Sequence, residues 1–136
     1  MEHILRTATQ ADVPLMKMIH KNENKHLGSF NLYQVWDKFI GGEKVPYTFV
    51  VVENKAFCRY GWSKMYQHYV IHEIGVLPEF KRQGISKFIL ENIPRPLMLK
   101  CNVDNEGGNA FYKSCGMRLS GKTETKNGIK QNIWTI

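Results

Sequence analysis

Apolar and polar positions along this chain fall into blocks of two periods, and the blocks predict the order of elements. Alternating or short apolar runs over 3–7, 47–53, 56–65 and 69–76 predict strands. Asn54-Lys55 marks a hairpin between the second and third of these. Thr9-x-x-Asp12, with Pro14 behind it, reads as a helix start that carries Leu15, Met18 and Ile19 on one face. A polar Asn- and Lys-rich stretch over 20–29 then breaks the pattern. From 30 to 40, Leu32, Val35, Trp36, Phe39 and Ile40 recur at helical spacing until Gly41-Gly42 stops them. A glycine loop over 81–86 leads into a helix over 87–93, closed by Pro94 and Pro96. A buried strand over 97–101 precedes a helix within 105–117 that stops at Gly116. Asn127-Gly128 turns a last hairpin between 117–122 and 130–136. The order β-α-α-β-β-β-α-β-α-β-β predicts an α/β fold on a mixed, mostly antiparallel central sheet. At 136 residues it predicts a single domain over 1–136.

Two strand–helix units carry candidate chemistry. In the first, a strand runs into the basic glycine loop Lys81-Arg82-Gln83-Gly84-Ile85-Ser86, followed by Lys87. Such a loop leaves first-turn N–H groups of its helix without partners, and these groups with the helix dipole suit a phosphate. In the second, Leu97 to Cys101 leads to Asn105-Glu-Gly-Gly-Asn109-Ala-Phe111-Tyr112. Gly107 and Gly108 weaken that helix by roughly 1 kcal/mol each, so its first turn is expected to be loose or to begin nearer Asn109. Together the units imply a cofactor with a phosphate and a leaving group to protonate.

These residues resemble the GNAT superfamily of acetyl-CoA-dependent N-acetyltransferases. Its cofactor signature, Gln/Arg-x-x-Gly-x-Gly/Ala, is matched at Lys81 to Ser86 behind Val76-x-Pro78, with Lys81 and Ser86 as departures. Its later signature is matched at Asn105, Phe111, Tyr112 and Gly116. The resemblance implies that backbone from Arg82 to Ser86 holds the pyrophosphate of acetyl-CoA. Main chain of Ile74, Gly75 and Val76 would pair with the pantetheine arm, and Asn105, with Asn109 and Phe111 near it, would hold that arm or its surroundings. It also implies Tyr112 as the general acid for the departing thiolate, a task that a phenol of pKa about 10 performs adequately.

The base is open between two neighbours. His72 shares a strand face with Ile74 and Val76, and related enzymes acting on arylalkylamines use a histidine there; an imidazole titrates near neutrality. Glu73 points to the other face and competes for the role. In this fold, acceptor specificity is expected from residues 22–40 and 120–130, with Phe30, Tyr33, Trp36, Tyr60, Trp62 and Tyr66 near the pocket or packed in the core.

Bulk properties narrow the partners. No apolar run approaches the roughly 18–20 residues of a membrane span, and no signal peptide is visible. Cys58, Cys101 and Cys115 lack metal-ligand spacing, so reduced thiols, no metal and a cytoplasmic location are expected. The net charge of +7 exceeds what a cofactor loop needs; the surplus lysines read first as ordinary solubilising surface and second as a surface that would attract polyanions or acidic partners. Three readings follow. An acetyl-CoA-dependent N-acetyltransferase acting on an amine leads. The same fold directed at nucleic acid, and a non-catalytic CoA-binding module, are the alternatives. Monomer and homodimer both remain open.

Overall fold

The computed structural model describes residues 3–27 and 47–136. The helix expected over 30–40, its Gly41-Gly42 stop and the aromatics Phe30, Tyr33 and Trp36 lie outside these residues. Strands β1 (Leu5–Thr7), β2 (Thr48–Val52), β3 (Ala56–Ser63), β4 (His68–Val76), β5 (Leu97–Asn102), β6 (Arg118–Glu124) and β7 (Lys130–Thr135) form one sheet. Its order is β1-β2-β3-β4-β5-β7-β6. Helices α1 (Val13–Leu27), α2 (Ile85–Asn92) and α3 (Glu106–Ser114) interleave with the strands. The pairing of β4 with β5 is parallel, whereas β1 with β2, β2 with β3, β5 with β7 and β6 with β7 are antiparallel. This is the mixed, mostly antiparallel sheet that the sequence predicts.

The chain divides into two compact units. The second comprises residues 62–71 and 93–136. Leu97, Met98, Leu99 and Cys101 of β5 are buried, which is why so short an apolar run suffices for a central strand. Its ladder with β4 holds only Tyr69 opposite Leu97 and Val70 opposite Met98, whereas its ladder with β7 runs from Met98–Thr135 to Asn102–Gln131. Strand β6 ends the sheet, exposed along much of its length and bulged between Leu119 and Gly121. Bulge and charge together blunt such an edge against further pairing.

The first unit comprises residues 1–61 and 72–92. Val13, Met16 and Ile19 of α1 pack on Phe49 and Val51 of β2, Phe57 of β3 and Leu77. The apolar stripe therefore runs through Met16, and Met18 faces solvent. Residues 13, 16 and 19 recur at i, i+3, i+6, whereas position 18 falls between the turns that face the sheet. The helix also continues through the polar stretch to Leu27, correcting the break expected at residue 20. Lys, Asn and Glu are compatible with a helix whose buried stripe is already anchored by Val13, Met16 and Ile19.

The start of α1 is fixed by charge. Asp12 accepts two hydrogen bonds of 2.8 Å from Arg6 of β1 and one of 2.8 Å from the Thr9 N–H. The Arg6 hydrogen bonds come first among the causes that hold the Asp12 carboxyl below the usual range, burial opposing them. A carboxyl depressed in the folded state adds stability above its unfolded pKa of about 4 and loses it as pH falls further. An Arg6→Met variant is therefore expected to unfold more readily than the parent at pH 7, with the gap closing below about pH 4. Urea midpoints measured across that range check it; a gap independent of pH overturns the assignment.

Candidate functional site

The glycine loop leaves β4 through Leu77, whose N–H donates to the Lys55 carbonyl at 2.8 Å, and a single 3-10 turn, Pro78–Phe80. Arg82 and Gly84 then take left-handed backbone angles, φ 64° and 77°. At Gly84 a Cβ would meet open space, so conformation demands glycine there, and the chain leaves the volume above it clear. Helix α2 begins at Ile85, whose side chain is buried, while Lys81, Arg82 and Lys87 are exposed and Ser86 is half-buried. The arrangement joins unpartnered first-turn N–H groups, a glycine without steric cover and three cations. These features fit a pyrophosphate. His3 braces the loop from β1's side of the unit, with Nε2 3.4 Å from the Gln83 carbonyl and its ring 5.5 Å from Phe88.

Strand β4 carries the two base candidates into different environments. His72 is exposed, and its ring meets the edge of Tyr47 at 5.1 Å. Glu73 is 1% exposed and accepts from Arg59 Nε at 2.8 Å. Its other oxygen lies 3.6 Å from His20 Nδ1 on α1. Burial pushes the Glu73 carboxyl up, with Arg59 and then His20 pulling it back. Arg59 is itself buried, and its guanidinium lies 4.4 Å from the Tyr47 ring centre. Sequence reading missed Arg59, His20 and Tyr47. The signal available was a charge in the otherwise apolar run Ala56-Phe57-Cys58. Beyond Val70 the main chain of β4, including Ile74, Gly75 and Val76, is not part of its ladder with β5.

In the second unit, Asn105 is the N-cap of α3, and its Oδ1 accepts from the Gly108 N–H at 3.0 Å. The helix starts at Glu106, so the looser start expected at Asn109 is corrected. Gly108 has a role in this. A Cβ there would lie 2.7 Å from Asn105 Nδ2 and 3.1 Å from Cys101 Sγ, so glycine makes room for the cap. Gly107 meets nothing within 4 Å. Asn109 is committed to the protein. Its Nδ2 lies 2.9 Å from the Asn102 carbonyl, 3.4 Å from that of Val103 and 2.8 Å from that of Asn105. Its Oδ1 accepts from Asn132 Nδ2 at 3.0 Å and Trp134 Nε1 at 2.8 Å. Tyr112 is half-buried, its ring 5.5 Å from Phe111. Gly116, at φ 85°, closes the helix while Met117 N–H returns to the Tyr112 carbonyl. Burial raises the Cys58 and Cys101 thiols, with Asp104 adding to the effect on Cys101, so both are held as neutral thiols.

Comparison places this architecture. The chain belongs to the acetyltransferase (GNAT) family, whose model matches residues 6–117. Among solved structures it is similar to NAA60 of Arabidopsis thaliana in complex with acetyl-CoA, at 13% identity and TM-score 0.72, covering 99% of each chain. It is similar to a mutant of the spermidine N-acetyltransferase SpeG from Vibrio cholerae, at 15% identity and TM-score 0.76, covering 98% of this chain and 94% of that one. The aminoglycoside N(6')acetyltransferase of Legionella pneumophila matches at 15% identity and TM-score 0.75, over 100% of this chain and 93% of its own. At such identities the likeness is one of fold. No curated protein matches the sequence.

Two expectations test the site's supports. Gly107→Ala should stabilise the protein by about 0.5–1 kcal/mol, whereas Gly108→Ala should cost about 1–2 kcal/mol through the displaced cap. Equal shifts in denaturation midpoint would remove the role given to Gly108. Glu73→Leu should cost about 3–5 kcal/mol by stranding Arg59, and adding Arg59→Met should restore most of it. A double variant no better than the single one would show that the pair is not a closed unit.

Proposed function

We propose that the protein transfers an acetyl group from acetyl-CoA to an amine acceptor. The observation that carries this reading is the glycine loop: a left-handed Gly84 with clear space above it, at the start of α2, in a chain of the acetyltransferase family. Backbone of residues 82–86 would hold the pyrophosphate, with Lys81, Arg82 and Lys87 supplying charge. Main chain of Ile74 to Val76 would take the pantetheine arm as an added strand. Acetyl-CoA supplies an activated thioester, and what remains for the protein is orientation and two proton movements.

Tyr112 is the proposed general acid, its phenol donating to the departing sulfur. His72 is the better proposed base, because its imidazole is exposed and Glu73 Oε1 is already spent on Arg59. Glu73 then serves the fold of β4 beneath His72's neighbour Tyr47, through Arg59. Asn109 supports α3 and leaves the cofactor to other groups, since both ends of its carboxamide are occupied. Spermidine and aminoglycosides, the acceptors in the names of two similar proteins, both present primary amines, and a primary amine is the acceptor class proposed here.

Tyr112→Phe should lower kcat by about 10²–10⁴-fold with an unchanged unfolding midpoint. His72→Gln should flatten the acidic limb of the rate–pH profile, since a base must shed its proton before it can accept another. Release of free thiol from acetyl-CoA, followed over pH with a panel of primary amines, measures both. Full turnover in Tyr112→Phe removes the acid, and an unchanged profile in His72→Gln removes the base.

A further inference from the structure

The end of β3 and the turn that joins it to β4 carry three exposed apolar side chains. Residues 62–67 read Trp-Ser-Lys-Met-Tyr-Gln, and Trp62, Met65 and Tyr66 are 47%, 84% and 36% exposed. The turn is nonetheless tightly built. Ser63 accepts from the Gln67 N–H through its carbonyl at 2.8 Å and from the Tyr66 N–H through its hydroxyl at 3.2 Å. The Gln67 side chain donates to the Lys64 carbonyl at 2.7 Å, and His68 Nδ1 lies 2.7 Å from the Tyr66 carbonyl. Gln67 takes a left-handed φ of 54° to allow this. With its backbone held in this way, the tip presents Met65 outward in one arrangement.

The rings behind it are already engaged. Trp62 meets Tyr69 edge-on at 5.0 Å, and Lys100 Nζ sits 5.1 Å from the centre of the Tyr66 ring. The acids of this unit are confined to one end, whereas its cations lie at both, with Lys122, Lys126 and Lys130 on the same hairpin as Glu124. Lys64 is on the turn, Arg95 precedes β5, and Arg118 pairs with Thr135, which pairs with Met98 near the start of β5. The unit's acids, Asp104, Glu106 and Glu124, all lie past the other end of β5. The first two follow it in the chain, and Glu124 pairs with Lys130, whose carbonyl accepts from Val103 N–H. The apolar tip therefore stands at the end of the unit where cations occur without any of its acids.

We propose that the β3–β4 tip docks the protein peripherally on an anionic membrane surface. A convex turn cannot enclose a peptide, and its most exposed side chain is an aliphatic thioether, which offers no face for a base to stack on. The same shape suits insertion of Met65 below the headgroups. Trp62 and Tyr66 then lie at headgroup level, and Lys64 and Lys100 reach lipid phosphates. No helix among the described residues is long and apolar enough to cross a membrane, and none is needed for such docking.

The test is co-sedimentation of the full chain with vesicles of phosphatidylcholine alone and with about 30% phosphatidylserine. Binding is expected only to the anionic vesicles, falling with salt. Met65→Asp combined with Trp62→Ser should lower the partition coefficient about tenfold or more, while Met65→Leu and the remote Lys122→Glu should leave it within about twofold. Far-UV circular dichroism of each variant verifies the fold; if the double variant is unfolded, Met65→Asp alone carries the comparison. No binding to anionic vesicles overturns the proposal. So does binding that Met65→Asp does not reduce, and so does a single-stranded RNA oligonucleotide held more tightly than the vesicles through the same residues.

Discussion

The carboxamide of Asn109 is the joint on which the second unit depends. Its two N–H groups are shared among carbonyls at the end of β5 and the start of α3, and its oxygen takes side-chain donors from two residues of β7. One side chain thus ties a helix to two strands, and it satisfies the indole N–H of the buried Trp134, a group that would otherwise cost about 1–3 kcal/mol. Because α3 carries Tyr112 three residues further on, the same joint sets where the phenol emerges. The cap at Asn105 and the glycine at 108 complete it, fixing the first turn of a helix that propensity alone would leave frayed.

The first unit solves a different problem with charge. Arg59 and Glu73 are both buried side by side on β3 and β4, an arrangement that is weak evidence for stability and stronger evidence for a fixed geometry. The guanidinium supports Tyr47, and Tyr47 supports His72, so an interior ion pair reaches an exposed imidazole through one aromatic ring. The glycine loop needs no such interior. It is specified by backbone angles at Arg82 and Gly84 and by the burial of Ile85, which pins the start of α2 while its polar groups face outward.

Most strands were legible because their apolar runs are short and bounded by turn residues. Asn54 takes φ 59° and Gly128 φ 81°, as hairpin connections require. Helix α1 was read less well, since its polar half carries no period and its stripe had to be placed by the sheet it meets. The two candidate motifs were legible as patterns of residue types. Gly108, however, was misweighed, because a glycine in a helix reads as a defect until the side chain that needs its space is seen.

The sequence alone determined which segments become strands and helices, where glycine must interrupt them, and which residue types could carry acetyl transfer. Those properties are local: they depend on periodicity, backbone angles and side-chain chemistry within a few positions. Only the tertiary structure decided that Glu73 is held by Arg59, that Asn109 is hydrogen-bonded to β7, and that Met65 and Trp62 stand in solvent at the end of their unit away from its acids. These are facts about partners distant in the chain, and pairing across 14 or 25 residues leaves no periodic trace in either segment.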